Sequence, residues 1–476
     1  RRLPGLMMSL LSLPGDVLLI VLQQDSLRAA ELCALELCNS DLKCLIDDEV
    51  WKHAFLHHRH CNALREPDCW KKEYARRDTW SHGWRQLITC SSPPVPHLRF
   101  GGQVSAHTQK LRRFAIKMVS GTVPSPPLPK QVTHVVDPHL SEPGCFNTIG
   151  AALAHAQPFD RVLVRPGCYF ERLKLDRPVE IVGTGKATGD VGSTVLVGID
   201  GPTIETSCRV ACRIANVAIE QRPRVVGATT MSGAVLIKGA AVLIVEECSI
   251  SSDTGHCIVI QGADSCGYVL HNVVHNAKGV GVLVCDHAKG IIEDNVIASN
   301  GRAGVAILSC ADPIVCANKI HDGMDSGVLV SEKGRGRVED NDIFGNRRAG
   351  VAILKEGAPL VKGNRIHDGR DSGVLVCENG KGSVVDNDIF ANMMAGVAIG
   401  RGGASRVTGN TIRDGNGGSL CLSVHSKGLI SSNVIHQDSR AVMQVPEGLL
   451  PEVREHNLIR YEPAEPGEGD PAPMAC

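Results

Sequence analysis

Apolar and polar positions recur with a period of 23 residues along the second half of the chain. One position of the repeat is always asparagine, and a β-branched apolar residue follows it two positions later. The asparagines are Asn272, Asn295, Asn318, Asn341, Asn364, Asn387, Asn410 and Asn433. A second apolar position recurs from Ile292 to Ile430, and a glycine position recurs from Gly281 to Gly396. A fixed period over such a length indicates one structural unit stacked repeatedly on the last.

Each repeat offers three short β-prone segments, separated by the glycine, asparagine and aspartate residues that turns require. Three strands and three turns in 23 residues predict one coil of a right-handed parallel β-helix. The predicted fold class is therefore mainly β, with this solenoid over residues 131–445 and a small all-α domain before it. The asparagines are expected to point inward and to hydrogen-bond from coil to coil as a structural ladder. The recurring glycine is expected at a tight bend, where a Cβ atom would clash or φ is positive.

The regions outside the strict repeat have different patterns. Residues 9–56 are predicted to form short helices, because Val17, Leu18, Val21 and Leu22 make an apolar stripe that starts after Pro14. Residues 57–130 are predicted to be a helical extension and a proline-rich linker. Residues 145–156 predict an amphipathic helix that covers the open end of the solenoid. Residues 446–476 form an acidic tail rich in proline and glycine, which is expected to be disordered apart from a last strand near residue 458.

Alternate coils resemble each other more closely than neighbouring coils do, because the His-Asp-Gly sequence at residues 321–323 returns at residues 367–369. Neighbouring carboxylates and a base are the groups that sugar-cleaving β-helix enzymes use. The candidates for such a site are Asp322, Asp325, Asp368 and Asp371, with His321 or His367 as the base. The competing interpretation is that these aspartates are turn residues, which recur because every coil needs its turns. Since a catalytic site occurs once, the recurrence favours turns and predicts no catalytic residue and no enzyme.

The composition limits the classes of binding partner and the cellular compartment that are expected for the protein. The formal net charge of −1 gives no electrostatic basis for binding nucleic acid. No stretch approaches the roughly 18 uninterrupted apolar residues of a membrane span. The 19 cysteines are scattered, and Cys285, Cys316, Cys377 and Cys421 fall within repeat strands, where they are expected to be small apolar core residues. A reduced compartment, cytoplasmic or nuclear, is therefore expected.

No metal or cofactor is expected. One group of candidate ligands, His57, His58, His60, Cys61 and Cys69, matches no standard zinc spacing and lies in a helical segment rich in tryptophan. Packing or surface positions are favoured for these side chains. The sequence contains no phosphate loop, dinucleotide fingerprint or nucleophile elbow.

The N-terminal helical segment resembles an F-box. The resemblance rests on the apolar run at residues 13–22, the Asp-Ser-Leu sequence at residues 25–27, and the spacing from Cys38 to Trp51. The segment departs from the family in that the helix before Asp25 is slightly short, and Asp41 stands where a tryptophan is common. In that family these helices bind the adaptor Skp1. The resemblance implies the following Skp1 contacts: Leu13, Pro14, Val17, Leu18, Val21, Leu22, Leu27 and Trp51.

The rest of the chain carries two further resemblances. Residues 51–80 resemble the helical extension after many F-boxes, and the repeats, including residues 179–185 and 373–382, resemble the β-helix of F-box-only proteins. Together they imply the substrate receptor of an SCF-type ubiquitin ligase, linked through Skp1 to cullin-1 and its RING subunit. An unidentified protein substrate would bind the charged turns at residues 332–335 and 355–356, and proximity would be the mechanism. The alternatives are a carbohydrate-active β-helix enzyme (lyase, hydrolase or epimerase) and a non-catalytic scaffold.

Overall fold

The computed structural model describes residues 131–139, 144–185, 187, 192–206, 209–225, 232–438 and 443–462 of the 476-residue chain. In these ranges the chain is a right-handed parallel β-helix, in which three strands and three turns make one coil. Each strand pairs in parallel with the equivalent strand of the next coil, so three sheets run along the axis. The predicted solenoid is therefore confirmed. The helical domain predicted for residues 9–56, with its Skp1-contact residues, and the segment 57–130 lie outside the described residues.

The three sheets are numbered in the order in which the chain visits them in each coil. Sheet 1 has 14 described strands: Thr133–Val136, Cys145–Phe146, Arg161–Val164, Glu180–Gly183, Ala211–Ala215, Val242–Glu246, Cys266–Leu270, Lys289–Glu293, Ile314–Cys316, Arg337–Glu339, Leu360–Lys362, Ser383–Val385, Arg406–Thr408 and Leu429–Ser431. Sheet 2 has 13 described strands: Gly167–Phe170, Thr194–Ile199, Ala218–Arg222, Ser249–Ser252, Val273–Ala277, Val296–Ala298, Lys319–His321, Asp342–Phe344, Arg365–His367, Asp388–Phe390, Thr411–Arg413, Val434–Asp438 and Leu458–Glu462. Sheet 3 has 11 described strands: Leu173–Leu175, Ile204–Thr206, Gly233–Ile237, His256–Gln261, Val282–Cys285, Val305–Ile307, Val328–Val330, Val351–Ile353, Val374–Val376, Val397–Ile399 and Leu420–Leu422.

The core of the solenoid consists of apolar columns that point inward from each sheet. In sheet 2 the middle residue of the three-residue strands is isoleucine; Ile320 and Ile343, for example, are fully buried and paired in register. Sheet 1 contributes a valine column that includes Val315 and Val338, which are also fully buried. β-Branched side chains pack well on a pleated surface. This is why the apolar positions of each repeat form strands.

The eight recurring asparagines are buried and form a hydrogen-bonded ladder at the turn between sheets 1 and 2. Asn341 Oδ1 accepts from the backbone N–H of Asn318 at 3.0 Å and from its Nδ2 at 2.9 Å. Asn341 Nδ2 donates in turn to Asn364 Oδ1 at 2.9 Å and to a backbone carbonyl of the preceding coil at 3.0 Å. The ladder goes one step beyond the strict repeat, because Asn457 Oδ1 accepts from the backbone and side chain of Asn433 at 3.0 and 2.8 Å. Each step therefore satisfies a buried backbone N–H group.

The recurring glycine is required by close packing between coils. Gly350 does not have a positive φ, so conformational freedom is not the reason for it. A Cβ atom at this position would overlap Ile366 Cγ2 and would lie 2.8 Å from the carbonyl oxygen of Gly373. Any side chain here would push the next coil away.

A short helix, α1 (Ile149–His155), adds its buried face to the core at the first coil. The Thr148 hydroxyl caps it, and the Glu171 carboxylate accepts from its first two backbone N–H groups at 2.8 Å. The helix is shorter than the predicted span of residues 145–156. Cys145–Phe146 instead pairs as a strand with Thr133–Val136, because this satisfies its backbone groups in sheet 1.

The C-terminal end of the solenoid is more ordered than the sequence predicts. A second helix, α2 (Leu450–His456), buries Val453 in the core. The strand Leu458–Glu462 then pairs with Val434–Asp438 and extends sheet 2. The last strand predicted near residue 458 is therefore present, and apolar side chains of this segment cover the last coil. No helix in the described ranges is long and apolar enough to cross a membrane.

Sheet 1 buries a charged cluster near the start of the solenoid. The Arg213 side chain is 5% exposed, and its two Nη atoms donate to the carboxylates of Glu180 and Glu246. Arg161 Nε also donates to Glu180, at 2.6 Å. Burial by itself raises the pKa of Glu180, but the positive charges of Arg213 and Arg161 have the larger effect and hold that pKa below its usual value. The cluster is therefore an ion network inside the protein.

The cysteines in the described part of the chain have free thiols. Those in the central core are Cys212, Cys248 and Cys257. Cys316 is buried, but three of the four cysteines predicted for the core are partly exposed: Cys285, Cys377 and Cys421. That prediction is wrong for these three, because they lie in or just after sheet 3 strands at positions that point away from the core.

Candidate functional site

A column of stacked aromatic rings lies on the outer face of sheet 2. The third residue of successive strands alternates between histidine and phenylalanine, and the ring column consists of His321, Phe344, His367 and Phe390. The ring centroids are 4.7, 5.3 and 4.6 Å apart, with interplanar angles of 3°, 11° and 5°. Neighbouring rings are therefore parallel, and Phe344 and His367 have both of their faces covered.

One end of the ring column is closed by an arginine. The Arg413 guanidinium lies 4.2 Å from the centroid of the Phe390 ring, within the range of a cation–π contact. It is held there by Asp388 at 3.1 Å and by Asp414 at 2.9 Å. The other end, at His321, has no such cover, because the next residue in the column is Ala298.

The two histidines of the column have different hydrogen-bond partners. His367 Nδ1 lies 2.6 Å from Asp368 Oδ2, and its Nε2 lies 3.0 Å from Asp342 Oδ1, so each ring nitrogen faces a carboxylate oxygen. His321 Nδ1 lies 2.8 Å from Asp322 Oδ2, and no hydrogen bond joins its Nε2 to a described residue. An imidazole that donates Nδ1–H to a carboxylate presents Nε2 as a proton acceptor. His321 therefore has the arrangement of a general base, whereas His367 does not.

The small side chain of Ala298 leaves a gap in the column between His275 and His321, which we call the Ala298 notch. The two histidines are two coils apart, about 9.6 Å at the usual strand spacing. His275 is held by Ser249 Oγ and Asn276 Nδ2, each at 3.0 Å. Burial lowers the pKa of His275, which favours the neutral ring at pH 7. The notch thus has an imidazole on either side.

A lysine lies at the edge of the notch. Lys319 precedes His321 by two residues in the same strand, so both side chains point outward, about 6.6 Å apart along the strand. Lys319 is exposed. The notch therefore combines an open proton acceptor, an apolar floor and a positive charge.

The four candidate carboxylates do not form one cluster. Asp322 and Asp368 follow sheet 2 strands in the left-handed conformation, with φ of 54° and 52°. Asp325 and Asp371 lie three residues later, in the turn toward sheet 3, where each accepts from the next backbone N–H, and Asp325 lies 3.7 Å from Arg348. All four occupy turns, and only Asp322 is paired with an imidazole that has an open nitrogen.

Sequence reasoning missed the rings and the notch. The sequence contains a pattern that predicts them, because the residue after the isoleucine of each sheet 2 strand is, at the 23-residue period, Ala298, His321, Phe344, His367 and Phe390. Alternating aromatic residues on an outer face, with one alanine before them, indicate a stack and its open end. In the described ranges no group of three or more histidine, cysteine or acidic side chains is arranged to hold a metal ion. The candidate ligands at residues 57–69 lie outside those ranges.

Comparisons with known proteins identify the architecture. The family described as "right handed beta helix region" matches residues 264–412. Among solved structures, a complex of XylC with xylose is 12% identical, covers 71% of this chain and 88% of that chain, and has a TM-score of 0.51. The periplasmic alginate epimerase AlgG is 18% identical over 58% of this chain and 77% of that chain, with a TM-score of 0.41. The A-module of Azotobacter vinelandii mannuronan C-5 epimerase AlgE4 is 18% identical over 63% and 89%, with a TM-score of 0.39. At these identities the likeness concerns the fold.

These comparisons correct the prediction that the chain is not an enzyme. That prediction treated a regular, turn-rich solenoid as a sign of a purely structural role. It is contradicted, because a solved structure with the same fold is a complex of XylC with xylose, so a regular β-helix is compatible with a site for a sugar. Regular repeats therefore give no reason to exclude catalysis. The F-box resemblance of residues 9–56 is not tested by these findings and stays a prediction.

Proposed function

We propose that this protein is a carbohydrate-active β-helix that holds an acidic sugar polymer at the Ala298 notch and removes a proton from one of its uronates. The observation that carries the proposal is the pairing of His321 with Asp322, which leaves Nε2 of His321 open beside a gap in the ring column. A base oriented by a second side chain is what proton abstraction requires. His367 has the same sequence context, but both of its nitrogens face carboxylates.

The width of the notch fits a sugar ring. A group held between two rings needs about 3.5–4.0 Å on each side. The spacing of about 9.6 Å between His275 and His321 accommodates these contacts and the thickness of a pyranose. The other ring faces of the column are covered. Because the Nε2 lone pair lies in the plane of the His321 ring, the reacting uronate lies at the edge of that ring while the next sugar of the same polymer stacks in the notch.

The charge of Lys319 favours a uronate. Its ammonium group would offset the substrate carboxylate and so make the hydrogen on the adjacent carbon more acidic. His321 Nε2 takes that proton, and the C–H electron pair forms a carbon–carbon double bond as the neighbouring glycosidic oxygen leaves and takes a proton from water. His321 then releases its proton to solvent. If the glycosidic oxygen stays, water donates a proton to the other face of the carbon, the hydroxide that remains takes the proton held by His321, and the product is the epimer.

The test is to incubate the full chain with alginate and with polygalacturonate. Ultraviolet absorbance detects unsaturated ends, and proton NMR detects epimerised residues. We expect turnover by the wild type and a loss of at least about 100-fold in His321→Gln, the size of a general-base contribution. The matched control is His367→Gln, the same change in the repeated motif, for which activity within about threefold of the wild type is expected. The absence of turnover on both polymers would overturn the proposal.

A second variant separates chemistry from folding. Ala298→Phe places in the notch the same residue that occupies this column at Phe344 and Phe390, so the coil tolerates it. The variant is expected to melt at or above the wild-type temperature and to lose both turnover and binding of the polymer. Normal turnover by Ala298→Phe would place the sugar elsewhere.

A second candidate function is supported by the F-box-like sequence of residues 9–56. We also propose that the chain is a substrate receptor of an SCF-type ubiquitin ligase. An apolar helical stripe of this size, too small for its own core, suits the groove of a partner such as Skp1. The test is capture of purified Skp1 by the wild type and by a variant with aspartate at Leu13, Val17 and Val21. Loss of capture in the variant is expected, with Leu429→Asp on sheet 1 as control, and unchanged capture would refute this candidate.

A further inference from the structure

The outer face of sheet 3 carries a column in which large and small apolar side chains alternate. Each member is the residue between two core-facing side chains of a strand, so it points away from the core. The column is Leu283, Ala306, Leu329, Ala352, Leu375 and Ala398. The leucines are half-buried, whereas Ala306 and Ala352 are 1% and 3% exposed because leucines flank them. The face is therefore a row of leucine ridges, two coils apart, with covered alanines between them.

Charged residues of alternating sign line both sides of this column. The turn before the strands contributes Arg302, Asp325, Arg348 and Asp371. The turn after the strands contributes Asp286, the uncharged Ser309, and then Glu332, Lys355, Glu378 and Arg401, whose signs alternate from Glu332 onward. The side chains of Arg348 and Asp325 are 70% and 33% exposed and lie 3.7 Å apart.

Contacts within the chain explain the charges but not the leucines. Opposite charges on neighbouring coils attract, so alternation of sign stabilises each column. A continuous leucine column would pack well against itself, as the isoleucine column does inside sheet 2. Alternation of leucine with alanine gives up that packing and leaves the leucines half-buried, so a partner surface with the same spacing can cover them.

We propose that this face binds the same face of a second copy of the chain, with the two solenoids antiparallel. A two-fold axis that lies in the interface, between the coils of Leu329 and Ala352, reverses the order of the coils. Leu329 of one copy then lies opposite Ala352 of the other, between its leucine ridges, and Ala306 faces Leu375 in the same way. The symmetry makes each contact occur twice.

The charges agree with this symmetry and exclude the parallel arrangement. In the antiparallel dimer Asp325 faces Arg348 of the other copy, and the same operation pairs Arg302 with Asp371 and Glu332 with Lys355. In a parallel dimer the charges before the strands of one copy would face the charges after the strands of the other copy, at the level of the same coil. Asp325 would then face Glu332, and Arg348 would face Lys355. Like charges in contact oppose association.

The size of the face suits a specific but modest dimer. Six coils extend over about 29 Å, and the strand with its turn residues is about 20 Å wide. Two such faces would bury about 1,200 Å² in total, at the lower end of specific interfaces. We expect a dissociation constant in the micromolar range.

The first test is the oligomeric state of the full chain, measured by sedimentation equilibrium up to about 100 μM. We expect a wild-type dimer and a dissociation constant at least about 10-fold higher for Leu329→Arg. The control is Leu429→Arg, the same change at an exposed leucine of sheet 1, and it should dimerise like the wild type. A monomeric wild type, or a dimer unaffected by Leu329→Arg, would overturn the proposal.

The second test uses charge reversal and does not depend on the stability of either variant. Asp325→Arg and Arg348→Asp each place like charges together, both within the chain and across the proposed interface, and each should dimerise at least about 10-fold more weakly. An equimolar mixture should form a heterodimer, because the introduced arginine of the first variant then faces the introduced aspartate of the second. The repulsion within each chain is unchanged by mixing. Recovery is therefore specific to the antiparallel contact, and failure of the mixture to associate would refute it.

Discussion

Replacing Asn341 with alanine tests how much the asparagine ladder contributes to the stability of the β-helix. The change removes the acceptor of the buried Asn318 N–H, now bound at 3.0 Å, and of the Asn318 side chain at 2.9 Å. It also removes the donor to the Val315 carbonyl at 3.0 Å and to Asn364 Oδ1 at 2.9 Å. An unpaired buried N–H costs about 1–3 kcal/mol, and each further net hydrogen bond is worth about 0.5–1.5 kcal/mol. We expect a loss of about 3 kcal/mol.

Urea denaturation and amide hydrogen exchange measure this loss at two levels. Because a solenoid unfolds through interactions between neighbouring coils, exchange of the Asn318 amide reports the local effect directly. A change of about 3 kcal/mol corresponds to roughly 100-fold faster exchange of that amide. Asn416→Ala, at an exposed turn, is the matched control. Exchange and unfolding of Asn341→Ala within about 0.5 kcal/mol of that control would show that the ladder does not stabilise the fold.

Two further substitutions test close packing and the buried ion network. Gly350→Ala should destabilise the solenoid by about 1–3 kcal/mol in thermal unfolding, because the added Cβ has no room between coils. The control is Gly448→Ala, where a Cβ would have no atom within 4 Å and stability should be unchanged. Arg213→Met should lower the stability by about 3–5 kcal/mol at pH 7, because it leaves the carboxylates of Glu180 and Glu246 buried without this partner. The pKa of Glu180 is lower in the folded wild type than in the unfolded chain. Its contribution to the free energy of unfolding is therefore present at pH values above the unfolded pKa, and it is lost as the pH falls through the folded pKa. In Arg213→Met, burial without the arginine should raise the pKa of Glu180, so the variant should become more stable as the pH falls. An identical pH dependence of unfolding in both proteins would refute this account.

The regular part of the fold follows from the sequence because equivalent side chains in every coil pack against the same kinds of neighbours. A side chain in one coil lies directly above its equivalent 23 residues earlier, so Ile343 must suit Ile320 and Asn341 must suit Asn318. The ends of the solenoid do not follow in this way. Asn457 joins the ladder at a spacing of 24 residues, which a strict period does not predict. The segment that covers the last coil packs against the exposed end of the solenoid, so its position depends on the shape of that end and not on the repeat.

The candidate site was only partly predictable for a related reason. The sequence offers His321 or His367 as a candidate base beside Asp322 or Asp368, but the motif repeats without distinction, so the sequence favours turns and predicts no catalytic residue. The ring contacts that distinguish them come from residues in other coils. Ala298 itself gave no chemical signal, because its effect is the space that it leaves.

The sequence by itself determined the coil, its length and the inward-facing ladder, because stacked repeats force the same residue type to recur at the same position. Only the tertiary structure decided that two identical His-Asp-Gly motifs differ. His367 lies between two phenylalanines with both nitrogens bound to carboxylates, whereas His321 borders a gap and keeps Nε2 open. The physical reason is that a side chain's accessibility and protonation depend on the neighbours stacked above and below it.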